Sequence, residues 1–181
     1  SAHAIFSNPK YQLWKYQKPY LISVLQATED LLNGDTAFVD LKPENTLYDS
    51  DLFLTSMIDM GSALKLNTAP ETIAESFARK RVAQFTPGFS PPELDDMDEN
   101  GKVNMPKVIA YTCGMVIQDV AGKNTDYNNN QEIQELVKKL THTEPDQRIS
   151  IKEAIERLQQ MGNEDYKEDA ILRHYVNKVR E

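Results

Sequence analysis

The sequence predicts a mainly α domain with a few short strands, and three observations lead there. Residues 18–32 place Tyr20, Leu21, Val24, Leu25, Leu31 and Leu32 largely on one face at helical spacing. Residues 105–121 are apolar around most of the helical wheel, through Val108, Ile109, Tyr111, Cys113, Met115, Val116, Ile117 and Val120, which is the pattern of a helix at the centre of a domain. Ser150-Ile151-Lys152-Glu153 reads as a capping box that opens a helix running through Gln160.

The remaining elements follow in order. Asn33-Gly34 stops the first helix. Thr36 to Val39 is a short apolar run that leads, extended, into Asp40. Thr46-Leu47-Tyr48 and Ser56-Met57-Ile58 read as two short strands with Asp49-Ser50-Asp51 as the turn between them. Residues 62–92 carry Pro70, Pro87, Pro91 and Pro92 and read as loop with one helical turn. Residues 94–104 are polar and acidic. Glu132 to Leu140 is amphipathic, and a last helix over roughly 164–180 carries the stripe Ile171, Leu172, Tyr175, Val176 and Val179. The organisation expected is one domain over residues 1–161 followed by a C-terminal extension helix over 162–181, without internal repeats.

Composition narrows the function classes. Forty per cent of the 181 residues are hydrophobic, the level of a folded globular chain with a real core. The formal net charge is −8, from 28 acidic and 20 basic residues, which argues against nucleic acid or an anionic membrane as the main partner. No apolar run approaches ~18 residues, so no membrane-spanning helix is expected. One cysteine, Cys113, excludes an internal disulfide framework. Ser1 to Ser7 lack a basic-then-apolar leader. A cytoplasmic location is the expectation from those last two features.

The chemistry concentrates in Asp40-Leu41-Lys42-Pro43-Glu44-Asn45 and, after two short strands, Asp59-Met60-Gly61. These loops supply a carboxylate, a lysine, an asparagine and a second carboxylate. Phosphoryl transfer uses such a set: one carboxylate orients a hydroxyl, a cation sits near the moving phosphoryl, and an amide oxygen with a carboxylate holds magnesium. Thr86-Pro87-Gly88-Phe89-Ser90-Pro91-Pro92-Glu93 and Glu144-Pro145-Asp146-Gln147-Arg148 follow. In this order the four motifs resemble the catalytic loop, the metal-binding tripeptide, the end of the activation segment and the late arginine loop of eukaryotic-type serine/threonine protein kinases. The resemblance covers about residues 18 to 160 and is to the C-terminal, catalytic lobe.

That resemblance implies a fold and roles. The fold would be a protein-kinase C-lobe-like helical domain, with short β-strands carrying the catalytic and metal loops. Asp40 would accept or orient the substrate hydroxyl and Lys42 would neutralise growing charge. Asn45 and Asp59, with Gly61 beside them, would bind the nucleotide phosphates through Mg2+, so ATP and Mg2+ are the implied cofactors. Thr86 would brace Asp40 and Lys42, and Glu93 with Arg148 would form a structural ion pair.

Departures from the family pattern point the other way. Phe38-Val39 stands where the family has His-Arg, Ile109 where its central helix has a buried aspartate, and Tyr111 at the usual tryptophan. Phe38 and Ile109 suggest an apolar spine in place of a polar one. No Gly-rich loop or Val-Ala-x-Lys strand precedes residue 18, so the N-lobe is expected to be absent here and to come from another segment or another chain. The sequence leaves two readings open. One is the catalytic lobe of a kinase that transfers the ATP γ-phosphoryl to serine or threonine of a protein substrate, inactive without an N-lobe. The other is a non-catalytic, pseudokinase-type module that binds a partner protein.

Several other features read as structural. Asp96 to Asn104 resembles the start of a calcium loop, but Lys107 stands where a bidentate glutamate is needed and Pro106 blocks the next helix, so a solvated acidic loop is the reading. His3, His142 and His174 are scattered, without metal-ligand spacing, and read as surface or cap residues. Cys113, inside the apolar helix, reads as an inert core thiol, and Arg79-Lys80-Arg81 as a solvated turn.

Overall fold

The computed structural model describes residues 1–66, 85–94, 103–124 and 130–162. Arg79-Lys80-Arg81, most of the Asp96–Asn104 stretch and the helix expected over 164–180 lie outside the described residues.

Five α-helices and four strands are present among the described residues: α1 Ala2–Phe6, α2 Trp14–Asn33, β1 Thr36–Phe38, β2 Thr46–Asp49, β3 Leu54–Met57, β4 Ala63–Lys65, α3 Met105–Ala121, α4 Gln131–Leu140 and α5 Ile151–Gln160. The mainly α expectation agrees with this. Residues 1–6 were given no element by the sequence, yet they form a short helix whose Ala2 and Phe6 are buried. α2 begins four residues before the expected start and runs through Pro19. A proline there removes one backbone bond, while burial of Gln17, Lys18, Pro19 and Tyr20 favours continuing the helix.

The strands form two antiparallel pairs. β2 and β3 make the expected hairpin, two residues earlier on its second arm, with Thr46 opposite Met57 and Asp49 opposite Leu54. β1 pairs with β4, Thr36 opposite Lys65 and Phe38 opposite Ala63. The loop reading over 62–92 therefore fails at its beginning. Three residues carry too little alternation to announce a strand, and it exists because the edge of β1 offers partners for its backbone.

The core runs through all the major helices. α2 packs on α3, α5 and β1, and α3 packs on α4. α3 is the central helix: Val108, Ile109, Cys113, Val116, Ile117 and Val120 are all inaccessible. Phe38 and Ile109 lie in this same buried cluster. Gly114 explains the close approach of α3 to the end of α4, since a Cβ there would come within 2.6 Å of Thr141 Cγ2 and 2.8 Å of Leu140 Cβ. Burial pushes the Cys113 thiol pKa up and keeps it protonated, in line with an inert core role.

Lys18 is buried on α2 and donates from Nζ to the carbonyl of Met161 at 2.7 Å, tying α2 to the end of α5. On the same helix, partial burial and then the neighbouring Asp30 charge hold the Glu29 carboxyl above its usual range, while Lys152 pulls it down. A carboxyl whose folded pKa is raised contributes stability that is full below its unfolded pKa and lost as pH rises through the folded one. Glu29→Gln is accordingly expected to raise the melting temperature at pH 7, with the gain vanishing below about pH 4. Paired melts at the two pH values check it, and an equal shift at both would refute the assignment.

Candidate active site

The loop after β1 alternates inward and outward. Val39, Leu41 and Pro43 are buried, which leaves Asp40, Lys42 and Asn45 partly exposed on the other side of an extended chain. Lys42 is extended, and a 3-10 turn over Pro43–Asn45 follows, closed by the Asn45 amide on the Lys42 carbonyl at 3.0 Å. The turn is held from three sides. Thr46 Oγ1 donates to the Pro43 carbonyl at 3.1 Å. Tyr20 Oη lies 3.0 Å from Thr46 Oγ1, and because the threonine proton is already committed, the tyrosine is the donor. The Ile58 amide donates to the Asn45 carbonyl at 2.9 Å, linking the turn to the end of β3.

α1 lies against this turn and β2. Phe6 sits 4.9 Å from the ring of Tyr20, and Tyr20 sits 5.3 Å from that of Tyr48. His3 Nδ1 is 2.7 Å from Glu44 Oε1. The sequence predicts a surface or cap role for His3, with no carboxylate cluster near it. Its contact partner lies 41 positions along the chain, a pairing that no local spacing reveals.

Four predicted site residues form one network. Thr86 Oγ1 donates to Asp40 Oδ1 at 2.5 Å and accepts from Lys42 Nζ at 2.7 Å. Lys42 Nζ lies 3.1 Å from Asp40 Oδ2. Asn45 Nδ2 donates to Asp40 Oδ2 at 2.6 Å and to the Asp40 carbonyl at 2.9 Å. Thr86 reaches this position because Thr86 to Phe89 is a tight turn, closed at 3.0 Å, with Gly88 at φ 88, which glycine adopts without strain. The hydroxyl of Thr112 on α3 anchors the turn by donating to the Phe89 carbonyl at 3.0 Å.

Asp59 stands apart from that network. It is exposed, holds a left-handed backbone at φ 60 and ψ 56, and makes no side-chain hydrogen bond with Asp40, Lys42, Asn45 or Thr86. Its place follows from β3: Ile58 is bonded to Asn45, and Asp59 is the next residue. Gly61 is also exposed, and a Cβ there would sit 3.3 Å from Asp59 Oδ1, so glycine leaves that carboxylate unhindered. Leu47 and Leu54 add an apolar feature that sequence reasoning missed. Both lie on the outer face of the hairpin, half-exposed, Leu47 two residues after Asn45 and Leu54 on the neighbouring strand opposite Asp49. Its signal was present in the alternation of Thr46 and Tyr48 inward with Leu47 outward.

The donor set suits a hard cation. Asn45 Nδ2 is spent on Asp40, which leaves its Oδ1 as an oxygen ligand, and Asp59 supplies a carboxylate. Magnesium takes few protein oxygens together with phosphate and water. Among the described residues no cluster of three or more His, Cys, Asp or Glu is placed to hold a metal by itself.

Behind the site, Glu93 and Arg148 form a bidentate pair, Nη1 to Oε1 at 2.6 Å and Nη2 to Oε2 at 2.7 Å. The Arg148 side chain is inaccessible. Its other three N–H groups donate to the carbonyls of His142, Lys107 and Thr143 at 2.6, 3.0 and 3.2 Å, and its guanidinium lies 4.9 Å from the Tyr111 ring centre. All five guanidinium donors are therefore used. Lys107 completes the cage by donating from Nζ to the Arg148 carbonyl at 2.5 Å.

No protein-family model and no curated protein matches the chain. Among solved structures, the crystal structure of the Legionella pneumophila LegK7 effector kinase is similar, with a TM-score of 0.61 and 18% identity over 90% of this chain. The match spans 41% of the LegK7 chain. The fold is thus kinase-like. No helix among the described residues is long and apolar enough to cross a membrane.

Proposed function

We propose that these residues are the catalytic lobe of a serine/threonine protein kinase, which transfers the γ-phosphoryl of ATP to a hydroxyl of a protein substrate. The observation that carries this reading is the Thr86 hydroxyl, which joins Asp40 and Lys42 from more than forty positions away. Such a bridge fixes a carboxylate and an ammonium side by side at a partly exposed surface, which is what orienting a hydroxyl and neutralising a phosphoryl require.

Each residue has one task in this reading. Asp40 orients the attacking hydroxyl. Lys42 balances charge gathering on the phosphoryl oxygens. Asn45 and Asp59 hold the magnesium ion that the nucleotide brings, and magnesium supplies charge neutralisation between phosphates. The outer face of the hairpin, with Leu47 and Leu54, offers an apolar seat for the base. A cover over the nucleotide comes from another segment or another chain, and turnover awaits it. The partners are that segment and the protein substrate, and the setting is the cytoplasm. The name of LegK7 as an effector kinase adds support.

The second reading is a kinase-like lobe kept as a binding module for a partner protein, without turnover. Asp59 favours it by standing outside the Asp40 network. A thermal-shift titration separates the two. Millimolar Mg–ATP is expected to raise the melting temperature of the chain, since a ligand of the folded state alone stabilises by mass action. Asp59→Asn and Asn45→Ala are each expected to abolish the shift. No shift in the unaltered chain would favour the binding module.

A further inference from the structure

Two hydroxyls are sealed behind the turn that carries Asn45. Tyr20 on α2 and Thr46 at the start of β2 have no accessible surface. Thr46 holds the Pro43 carbonyl twice, with its backbone N–H and with Oγ1 at 3.1 Å. Tyr20 Oη donates to Thr46 Oγ1 at 3.0 Å. Burial pushes the Tyr20 phenol pKa up, so it keeps its proton and remains a donor. The rings of Phe6 and Tyr48 flank that of Tyr20 at 4.9 and 5.3 Å. Packing requires neither hydroxyl. Phenylalanine and valine have the same shapes, and replacing both partners of a buried hydrogen bond by apolar groups of equal shape is nearly neutral for stability. What the hydroxyls add is direction, because they fix the Pro43 carbonyl and the chain that leads from it to Asn45.

We propose that Thr46, its hydroxyl oriented by Tyr20, is the positioning residue for Asn45 Oδ1 and so for the Mg–ATP which that oxygen holds; the inference rests on the kinase reading above. Asn45 Nδ2 is tied to the carbonyl and Oδ2 of Asp40, which leaves the direction of Oδ1 to the backbone of the turn. Two amides close that backbone on its open side, Asn45 on the Lys42 carbonyl at 3.0 Å and Ile58 on the Asn45 carbonyl at 2.9 Å. The Thr46 hydroxyl restrains it from the buried side. Thr46 is inaccessible, so it acts through the turn and touches neither metal nor nucleotide. Binding groups work only when held to within about 0.5 Å, which is the task of such supporting bonds.

The test combines Tyr20→Phe with Thr46→Val in the full chain, followed by amide hydrogen exchange in NMR spectra and by Mg–ATP titration. The melting temperature of the double variant is expected to stay near that of the unaltered chain, since neither hydroxyl is left behind unpaired. The Asn45 and Ile58 amides are expected to exchange about tenfold faster, and the Mg–ATP dissociation constant to rise about tenfold, the worth of one hydrogen bond. Exchange at Val116, buried on α3, should not change. Thr46→Ser keeps the hydroxyl and is expected to match the unaltered chain in both measurements. If the double variant does not fold, Tyr20→Phe alone decides, and it must speed the same two amides without moving Val116. Unchanged exchange at Asn45 and Ile58 overturns the proposal. Faster exchange there matched at Val116 overturns it too, and leaves the pair a purely structural task. So does faster local exchange with unchanged Mg–ATP affinity, because the turn would then not govern Asn45 Oδ1. Absence of Mg–ATP binding in the unaltered chain sinks the kinase reading instead, and the exchange measurement still decides whether Thr46 positions Asn45.

Discussion

Arg148→Met is expected to cost about 3–5 kcal/mol of folding stability, the loss seen when one partner of a buried ion pair is removed. The substitution keeps much of the side-chain volume and removes five donors at once. Glu93 then lacks its counter-charge, and the carbonyls of His142, Lys107 and Thr143 lose their donor. Against a total stability of about 5–15 kcal/mol, this is a large share. Urea unfolding followed by circular dichroism measures it. Glu93→Gln is expected to cost less, because the glutamate is partly exposed and the arginine keeps its three carbonyls. The double variant should lose less than the sum of the two, since the residues share one interaction. A loss under about 1 kcal/mol for Arg148→Met would place this pair with ordinary surface ion pairs and contradict its reading as a structural ion pair.

Asp40→Asn is expected to reduce phosphoryl transfer by about 10²–10⁴-fold, the range for removal of a positioned acid–base group. The assay is transfer of labelled γ-phosphate to a peptide, run with the longest translated chain that contains these residues. Asparagine keeps the shape of aspartate and an oxygen for Thr86, so the loop should survive. It loses the charge that faces Lys42 at 3.1 Å and the basicity that orients a hydroxyl. Mg–ATP affinity is expected to stay, because Asn45 keeps its hydrogen bond to the carbonyl of residue 40 and Asp59 is untouched. Transfer at the original rate would remove Asp40 from the reaction. Loss of transfer together with loss of nucleotide binding would assign it a structural task instead.

How far the sequence carried can be argued residue by residue. Asp40, Lys42 and Asn45 share a six-residue loop, so their proximity was legible from spacing alone. The central helix was legible because burial on every side leaves its mark on every position from Val108 to Val120. Thr86 was placed only through the resemblance, since no local rule brings a residue 46 positions to a carboxylate. The other groups around Arg148 were invisible. Three are backbone carbonyls, which have no residue identity, and Lys107 looked like a failed calcium ligand. β4 and α1 were missed for a related reason. Each is short, and each exists through contact with a distant element, β1 for the strand and the Pro43–Asn45 turn for the helix.

The sole thiol makes the interior self-reporting. Cys113 sits on the middle of α3 with no accessible surface, so an alkylating reagent reaches it only when that helix leaves its seat. The rate of labelling in native buffer therefore counts excursions of the hydrocarbon centre, at one defined atom and without any engineered probe. Compared across ligands and variants, it separates a loosened periphery from a core that has come apart.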